Sequence, residues 1–307
     1  MKNLKIAIIG SGVVGQATGK GFMSKGFEVT FIDVNPYIIE KLREEGYDAY
    51  LASDSLNALD TDISIFTVPT PTVDGEINLK YLKAAAVDLG KRIANMKKYH
   101  LAVVRSTVVP GTTEGLVLKT LEKHSGKKVG KGFGLCMNPE YLREVSAVED
   151  FANPWIVVIG NYDEKSGDLL ERVYKRFNCP IYKVPIKEAE MQKYVHNLYN
   201  ACKITFFNEM REIAQSIKVD TENMFALVVK SCEGIWNGKY GTKNLGPFSG
   251  SCLPKDTQAF YAFAQSKGLE AELLETTISV NNKLASKIKR SSSEKDSRIS
   301  DYPELPL

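Results

Sequence analysis

This 307-residue sequence has few histidines, no cysteine pairs and no long apolar run, and each shortage excludes a class of protein. Only three histidines are present, and the five cysteines are widely spaced without a CxxC pair. This pattern argues against a disulfide framework and against a zinc site, so we expect no bound metal and a reducing, cytoplasmic location. No apolar stretch approaches the roughly 18 residues of a membrane span, so no membrane partner is expected.

The sequence also lacks a strong excess of charge. The net charge of +3 is too small to indicate a nucleic-acid partner, and the basic cluster at 91–98 is typical of the solvated face of a helix. The N-terminal apolar run is short and leads directly into a glycine turn. It therefore predicts a first β-strand and not a secretory signal.

The order of strand and helix patterns predicts the fold class. Apolar β-rich runs alternate with amphipathic helices over residues 1–185, which favours an α/β domain with a Rossmann-like doubly wound parallel sheet. A mainly helical central domain is predicted over 186–290, with the cysteine-containing GSCLPKD loop inside it. Residues 291–307 are polar and contain proline, so we expect a disordered tail.

One helix in the second region is unusually long. Residues 187–218 contain neither proline nor glycine. Their apolar positions recur at helical spacing and extend nearly all round the helix, more than one small domain can cover. The pattern therefore predicts a homodimer built on this helix.

The motif GSGVVG follows the first predicted strand and opens a helix. Such a turn places the first glycine at a tight bend, the second beneath a pyrophosphate and the third against the strand. Asp33 ends the second predicted strand, where a carboxylate accepts hydrogen bonds from a ribose 2′-hydroxyl and repels a 2′-phosphate. We therefore predict NAD as cofactor and not NADP. The turn residues assigned to it are Gly10, Gly12, Val13, Val14 and Gly15.

Polar residues follow three further strands. The segments VPTPT (68–72), RSTVVPGT (105–112) and NPEYLRE (138–144) begin where apolar runs end, and the carboxyl ends of parallel strands face the ligand crevice. Proline turns of this kind also occur without a ligand. The candidate side chains are Thr70, Thr72, Ser106, Thr107, Glu140 and Glu144, the last two on one face if the segment is helical.

Two later segments place reactive side chains in unusual settings. Lys193 and Asn197 lie four residues apart on the long helix, which indicates either a polar site within a core or an ordinary amphipathic edge. Cys252 lies two residues after Gly250 and precedes a helix start, where Lys255 and the helix N-terminus favour the thiolate form of a nucleophile. A cysteine in an ordinary turn is the alternative.

These motifs, in this order, resemble those of the UDP-glucose/GDP-mannose dehydrogenase family over residues 1 to about 290. The resemblance implies that Cys252 is the catalytic thiol and that Lys193 and Asp256 form a polar pair near the reacting hydroxyl. It further implies that Asn197 binds substrate and water and that Glu140 assists thioester hydrolysis. The remaining residues that it implies are Thr107 at the reaction centre, Glu144 and Lys255 at the cofactor, and Tyr141, Leu142 and Gly250 at the substrate.

The same resemblance implies the reaction, a four-electron oxidation of a nucleotide-sugar alcohol by two NAD⁺ through a cysteine thiohemiacetal and thioester. UDP-glucose is the favoured substrate and GDP-mannose the close competitor. Ser251 counts against the N-acetylhexosamine branch, and Ser249 departs from the glycine usual in the family. A short 3-hydroxyacid dehydrogenase and an inactive NAD-binding remnant are the alternatives.

Family members continue into a second nucleotide-binding α/β domain. The 17 residues after position 290 cannot build a core, so we expect this chain to lack that domain. We then expect NAD binding to persist while nucleotide-sugar affinity and turnover are severely reduced, unless a separate chain supplies the missing half.

Overall fold

The structure is a computed structural model that describes residues 4–54, 60–143, 146–238, 240–241, 246–249 and 252–296. The chain divides into two compact units, Met1–Asn197 and Leu198–Leu307.

The described part of the first unit consists of short strands separated by helices. Its strands are β1 (Lys5–Ile9), β2 (Glu28–Asp33), β3 (Ala49–Leu51), β4 (Ile63–Phe66), β5 (Thr72–Val73), β6 (Glu76–Ile77), β7 (His100–Val104), β8 (Phe133–Met137), β9 (Val157–Asn161) and β10 (Ile181–Pro185). Its helices are α1 (Val13–Ser24), α2 (Pro36–Glu44), α3 (Lys80–Asn95), α4 (Lys119–Ser125), α5 (Ala147–Ala152) and α6 (Glu164–Tyr174), with a π-helical turn at Thr113–Leu118 before α4. Helix α7 (Ile186–Ser216) begins in this unit and continues into the second.

Eight of these strands form one sheet in the order β10-β9-β8-β7-β4-β1-β2-β3, and β5 and β6 form a separate hairpin. The strand order reverses between β1 and β4, which creates the crevice typical of a doubly wound sheet. The predicted Rossmann-like α/β fold is therefore confirmed. Both faces of the central strands are covered by helices, so β4, β7 and β8 are buried along their whole length.

The expectation of an all-parallel sheet was wrong at one edge. β8 and β9 pair antiparallel, and β10 pairs parallel to β9, so the last two strands run opposite to the others. Among the described residues between β8 and β9, α5 is a short α-helix that packs on α1 through the Phe22–Phe151 ring pair at 4.9 Å. An apolar run predicts a strand but carries no information about its direction, so the reversal was not apparent from the sequence.

The second unit is helical, as expected. It contains the rest of α7, α8 (Thr221–Ser231), α9 (Glu233–Trp236), α10 (Leu253–Ser266) and α11 (Glu272–Asp296). Its cluster of fully buried apolar residues is small and comprises Ile213, Ala264 and Ala271. Helix α11 extends to Asp296, so the first six residues of the predicted tail are helical and not disordered; residues 297–307 lie outside the described part. None of the helices described is both long and apolar enough to cross a lipid bilayer.

Candidate functional site

The turn between β1 and α1 has the backbone geometry that the glycine motif predicts. Gly10 has a φ of +97°, and a Cβ at this position would lie 2.8 Å from the Val68 nitrogen. A Cβ at Gly15 would lie 2.0 Å from the Gly10 oxygen, so helix and strand approach as closely as the motif requires. A Cβ at Gly12 would meet nothing within 4 Å. The turn is therefore tight at its two ends and open at its middle glycine, where a pyrophosphate approaches the backbone.

Asp33 lies beside this turn at the end of β2. Its Oδ2 accepts a hydrogen bond from the Ser11 backbone N–H at 2.6 Å, and its Oδ1 accepts one from the Asn35 N–H at 2.9 Å. These bonds hold the carboxylate at the mouth of the turn. Each oxygen retains a further lone pair for a ribose hydroxyl. The turn and the carboxylate together fit the ribose and pyrophosphate of NAD.

A cleft of about 660 Å³ extends from Asp33 across the carboxyl ends of β1, β4 and β7. Most of the predicted cofactor residues lie in its wall, namely Gly10, Gly12, Val13, Val14, Asp33, Thr70 and Thr107. The candidate hydroxyl of Ser106 and the predicted catalytic residue Glu140 lie there too. Thr70 Oγ1 donates to the Thr107 carbonyl at 2.7 Å, which joins the loops after β4 and β7. Thr72 lies in strand β5, and the cleft wall does not include it.

Several cleft residues were not predicted. Tyr81 and Asp88 come from α3, Ala52 follows β3, and Arg105 follows β7. Of these, only Arg105 carried a usable signal, because it directly precedes the predicted pair Ser106 and Thr107 and occupies a strand end. The α3 residues line the cleft on a helix face that periodicity alone assigns to solvent.

Lys193 and Glu140 form a buried ion pair at the far end of the cleft from Asp33. The Lys193 residue is 4% exposed, and its Nζ lies 3.1 Å from Glu140 Oε1 and 2.5 Å from the Glu140 carbonyl oxygen. The second carboxylate oxygen of Glu140 accepts a hydrogen bond from Leu142 N–H at 2.6 Å. Lysine and glutamate are thereby fixed against each other, so a charged donor and a charged acceptor lie side by side.

Glu190 is a buried residue of this region that the sequence did not reveal. It lies one turn before Lys193 on α7 and is fully buried. Its carboxylate accepts hydrogen bonds from the Gly111 N–H at 2.5 Å and the Thr113 N–H at 2.8 Å. It therefore caps the π-helical turn after the Ser106–Thr107 loop and ties that loop to α7.

Tyr141 and Leu142 lie beside the ion pair and line a second, water-sized cavity of about 30 Å³. The Tyr141 hydroxyl donates to Gln192, its ring packs 4.9 Å from the His196 ring, and burial raises its pKa to about 12. The segment from 138 to 143 is not helical. The condition under which Glu140 and Glu144 would share a helix face is therefore not met over residues 138–143, and Glu144 itself lies outside the described residues.

The remaining predicted residues lie at the end of the first unit or in the second. Asn197 is exposed and is the last residue of the first unit. Cys252 is exposed and is the N-cap of α10, with Pro254 at the second helical position. Lys255 and Asp256 are both exposed and form an ion pair at 2.6 Å. Gly250 lies outside the described residues.

Comparisons with known proteins agree with this arrangement. The NAD-binding-domain model of the UDP-glucose/GDP-mannose dehydrogenase family matches residues 50–178, and the central-domain model of the same family matches residues 187–283. The chain is 34% identical to a GDP-mannose 6-dehydrogenase of Pseudomonas putida and covers 68% of that protein, with 91% of this chain aligned. It is 35% identical to a UDP-glucose 6-dehydrogenase of Haloferax volcanii, of which it covers 70%, again with 91% of this chain aligned.

Two solved structures resemble the chain closely. The crystal structure of a ternary complex of GDP-mannose dehydrogenase from Pseudomonas aeruginosa aligns with a TM-score of 0.87 at 32% identity, over 92% of this chain and 69% of the other. A UDP-glucose dehydrogenase from Pyrobaculum islandicum aligns with a TM-score of 0.70 at 36% identity, over 91% and 68%. With its glycine turn, its cleft and both family domains in sequence, the chain belongs to the UDP-glucose/GDP-mannose dehydrogenase family of NAD-dependent nucleotide-sugar dehydrogenases.

Proposed function

We propose that this chain oxidises the C6 alcohol of UDP-glucose to the carboxylate of UDP-glucuronate. The observation that carries the proposal is the buried Lys193–Glu140 pair, which lies at the end of the NAD cleft beside Thr107. NAD binding alone requires neither a lysine nor a glutamate at this position. Burying two charged side chains costs desolvation free energy, so their presence here favours a role in the reaction. NAD⁺, when bound, supplies the hydride acceptor for each of the two oxidations.

Lys193 and Glu140 are assigned complementary tasks. The Lys193 ammonium donates hydrogen bonds to the substrate oxygen as negative charge develops there, in both the alkoxide and the later oxyanion. The Glu140 carboxylate, oriented by Leu142 N–H, accepts a proton from the hydrolytic water. Asn197 is proposed to bind substrate and water, and Asp256 to assist near the reacting hydroxyl. The ion pair that Asp256 forms with Lys255 holds a carboxylate at the start of α10.

Cys252 is proposed as the nucleophile. Its sulfur adds to the C6 aldehyde formed by the first oxidation, and the thiohemiacetal keeps a hydrogen on the same carbon for the second. Loss of that hydride leaves a thioester, which water cleaves to the carboxylate and the thiol. Cys252 is the N-cap residue of α10, and a helix N-terminus favours negative charge, which supports its assignment as a thiolate.

GDP-mannose is the second candidate substrate. It is favoured by the alignment with the Pseudomonas aeruginosa GDP-mannose dehydrogenase, which has a TM-score of 0.87.

The two substrates are distinguished by incubating the purified chain with NAD⁺ and either nucleotide sugar, and measuring NADH by absorbance and uronate by chromatography. We expect two NADH per uronate, with UDP-glucose oxidised faster.

Replacing the thiol tests the mechanism. We expect Cys252→Ser to abolish uronate formation while NAD affinity is unchanged, and Cys232→Ser, another exposed cysteine of the second unit, to behave like the parent. Turnover by Cys252→Ser at the parent rate would remove the thiol from the mechanism. One NADH per product would indicate a single oxidation, as in a hydroxyacid dehydrogenase.

A further inference from the structure

Arg105 is a buried cation whose hydrogen-bond partners and ring contact are neutral. It follows β7 directly and is 4% exposed. Its Nη1 donates to Asn138 Oδ1 at 2.6 Å and to the Tyr174 hydroxyl at 3.3 Å. Its guanidinium carbon lies 4.8 Å from the centre of the Phe151 ring. These contacts hold the guanidinium in place without cancelling its charge.

Nearby carboxylates are already paired with other cations. Glu140 pairs with Lys193, and Asp150 is held by the Arg143 guanidinium at 2.6 Å. Within the ranges that the structure describes, no carboxylate lies within ion-pair distance of Arg105, and its Nε has no hydrogen-bond partner. Water screens a buried charge poorly, so the field of Arg105 extends into the cleft that it lines.

Arg105 lies at the end of the cleft where the nicotinamide half of the cofactor would bind. Asp33 marks the adenosine ribose at the end of β2, and the glycine turn after β1 marks the pyrophosphate. The strand order then reverses, so the nicotinamide half of a bound cofactor would extend over the ends of β4 and β7. Arg105, Ser106 and Thr107 form the cleft wall at that end of the sheet.

The two redox forms of the cofactor differ in charge at this point. In each oxidation a hydride, which is two electrons and one proton, leaves the sugar carbon for the nicotinamide ring, and a second proton leaves the sugar oxygen for solvent. The ring is cationic before the transfer and neutral after it. A fixed cation nearby raises the free energy of the oxidised form alone, just as a like charge disfavours the charged form of a titrating group.

We propose that Arg105 shifts the redox equilibrium of the bound cofactor toward hydride acceptance by opposing the positive charge of the oxidised nicotinamide. The effect of Arg105 on the rate of sugar oxidation rests on the proposed function. Its effect on the relative affinities for NAD⁺ and NADH requires only that the chain binds the cofactor.

The test compares the dissociation constants of NAD⁺ and NADH by calorimetric titration of the full chain. We expect the parent to bind NADH more tightly than NAD⁺. Arg105→Met should reduce the ratio of the two constants by about tenfold, and Arg105→Lys, which keeps the charge, should retain most of it. Arg105→Gln is a second neutral variant. Tyr174 donates to Asn138 Oδ1 at 2.6 Å, so these partners still satisfy each other when the arginine is replaced.

Arg92→Met is the matched control. Arg92 is also buried and also lines the cleft, but it donates to Thr61 Oγ1 at 3.0 Å, before β4 begins and thus at the opposite end of the strand. Its loss should leave the ratio unchanged. Equal affinities for NAD⁺ and NADH in the parent, equal losses of both in the neutral Arg105 variants, or no binding of either form would overturn the proposal. Absence of sugar oxidation with the ratio effect intact would instead count against the proposed function.

Discussion

Asp33 combines a structural and a proposed binding task in one carboxylate. Its two hydrogen bonds to backbone N–H groups fix the turn that follows β1, and its remaining lone pairs face the cleft. We expect Asp33→Ala to weaken NAD binding by about tenfold or more and to narrow the preference for NAD over NADP, because the variant loses a charged acceptor and a source of repulsion.

Titrations with NAD and NADP check this prediction. Asp48→Ala is the control, because Asp48 accepts a hydrogen bond from Thr30 Oγ1 at the same sheet edge but is not part of the cleft wall. A preference that stays unchanged in Asp33→Ala would show that the carboxylate does not meet the ribose.

In the turn between β1 and α1, one glycine is required by packing and another by the proposed cofactor binding. A methyl group at Gly15 would lie 2.0 Å from the Gly10 oxygen, whereas one at Gly12 would meet nothing within 4 Å. We expect Gly15→Ala to destabilise the fold by about 1–3 kcal/mol, because backbone must move. Gly12→Ala should leave stability within about 0.5 kcal/mol of the parent and lower NAD affinity, because its methyl fills the pyrophosphate approach.

Chemical denaturation and NAD titration of both variants distinguish these effects. Unaltered NAD affinity in a stable Gly12→Ala variant would contradict the assignment of this turn to the cofactor.

Strand β7 contains a buried histidine that gives the first unit a pH dependence. His100 Nδ1 donates to the Thr61 carbonyl at 3.1 Å, so its Nε2 accepts from Ser64 Oγ at 2.9 Å and the ring is neutral. Burial, with Arg92 as the next cause, lowers the pKa of His100 to about 3. Between pH 6.5 and about pH 3, His100 binds a proton in the unfolded chain but not in the folded chain. Stability should therefore fall as the pH falls, by at most about 1.4 kcal/mol per pH unit from this group.

The measurement is the unfolding free energy of parent and His100→Asn between pH 4 and 6.5. We expect the pH slope to be shallower in the variant, although the variant is less stable at neutral pH. His124→Asn, which changes a partly exposed histidine, should keep the parent slope. Parallel slopes for parent and His100→Asn would show that His100 takes up its proton in the folded state.

At the scale of the whole molecule, α7 has more apolar surface than this chain covers. Its large exposed apolar residues are Met191, Val195, Leu198, Tyr199, Ile204 and Phe206. Exposed apolar surface of this extent is typical of a protein interface, and the small core of the second unit adds to that need. We therefore expect a homodimer formed through α7 at micromolar concentration, as the sequence predicts.

Sedimentation velocity checks this expectation. Leu198→Arg should produce a monomer, because a guanidinium cannot be buried unpaired. Lys203→Ala, which removes an exposed charge from the same helix without burying one, should remain dimeric. A parent chain that sediments as a monomer would exclude α7 as a dimer interface.

The sequence by itself determined the features that depend on local backbone geometry and periodicity. The glycine turn, the carboxylate at Asp33 and the alternation of strands and helices are of this kind, because each follows from residues adjacent in the chain. Tertiary structure alone decided the direction of β9 and β10, the pairing of Lys193 with Glu140 and the cap that Glu190 places on Gly111 and Thr113. It also left the Arg105 charge without a carboxylate among the described residues. These features join residues far apart in sequence, and no local pattern specifies which distant group a buried charge will meet.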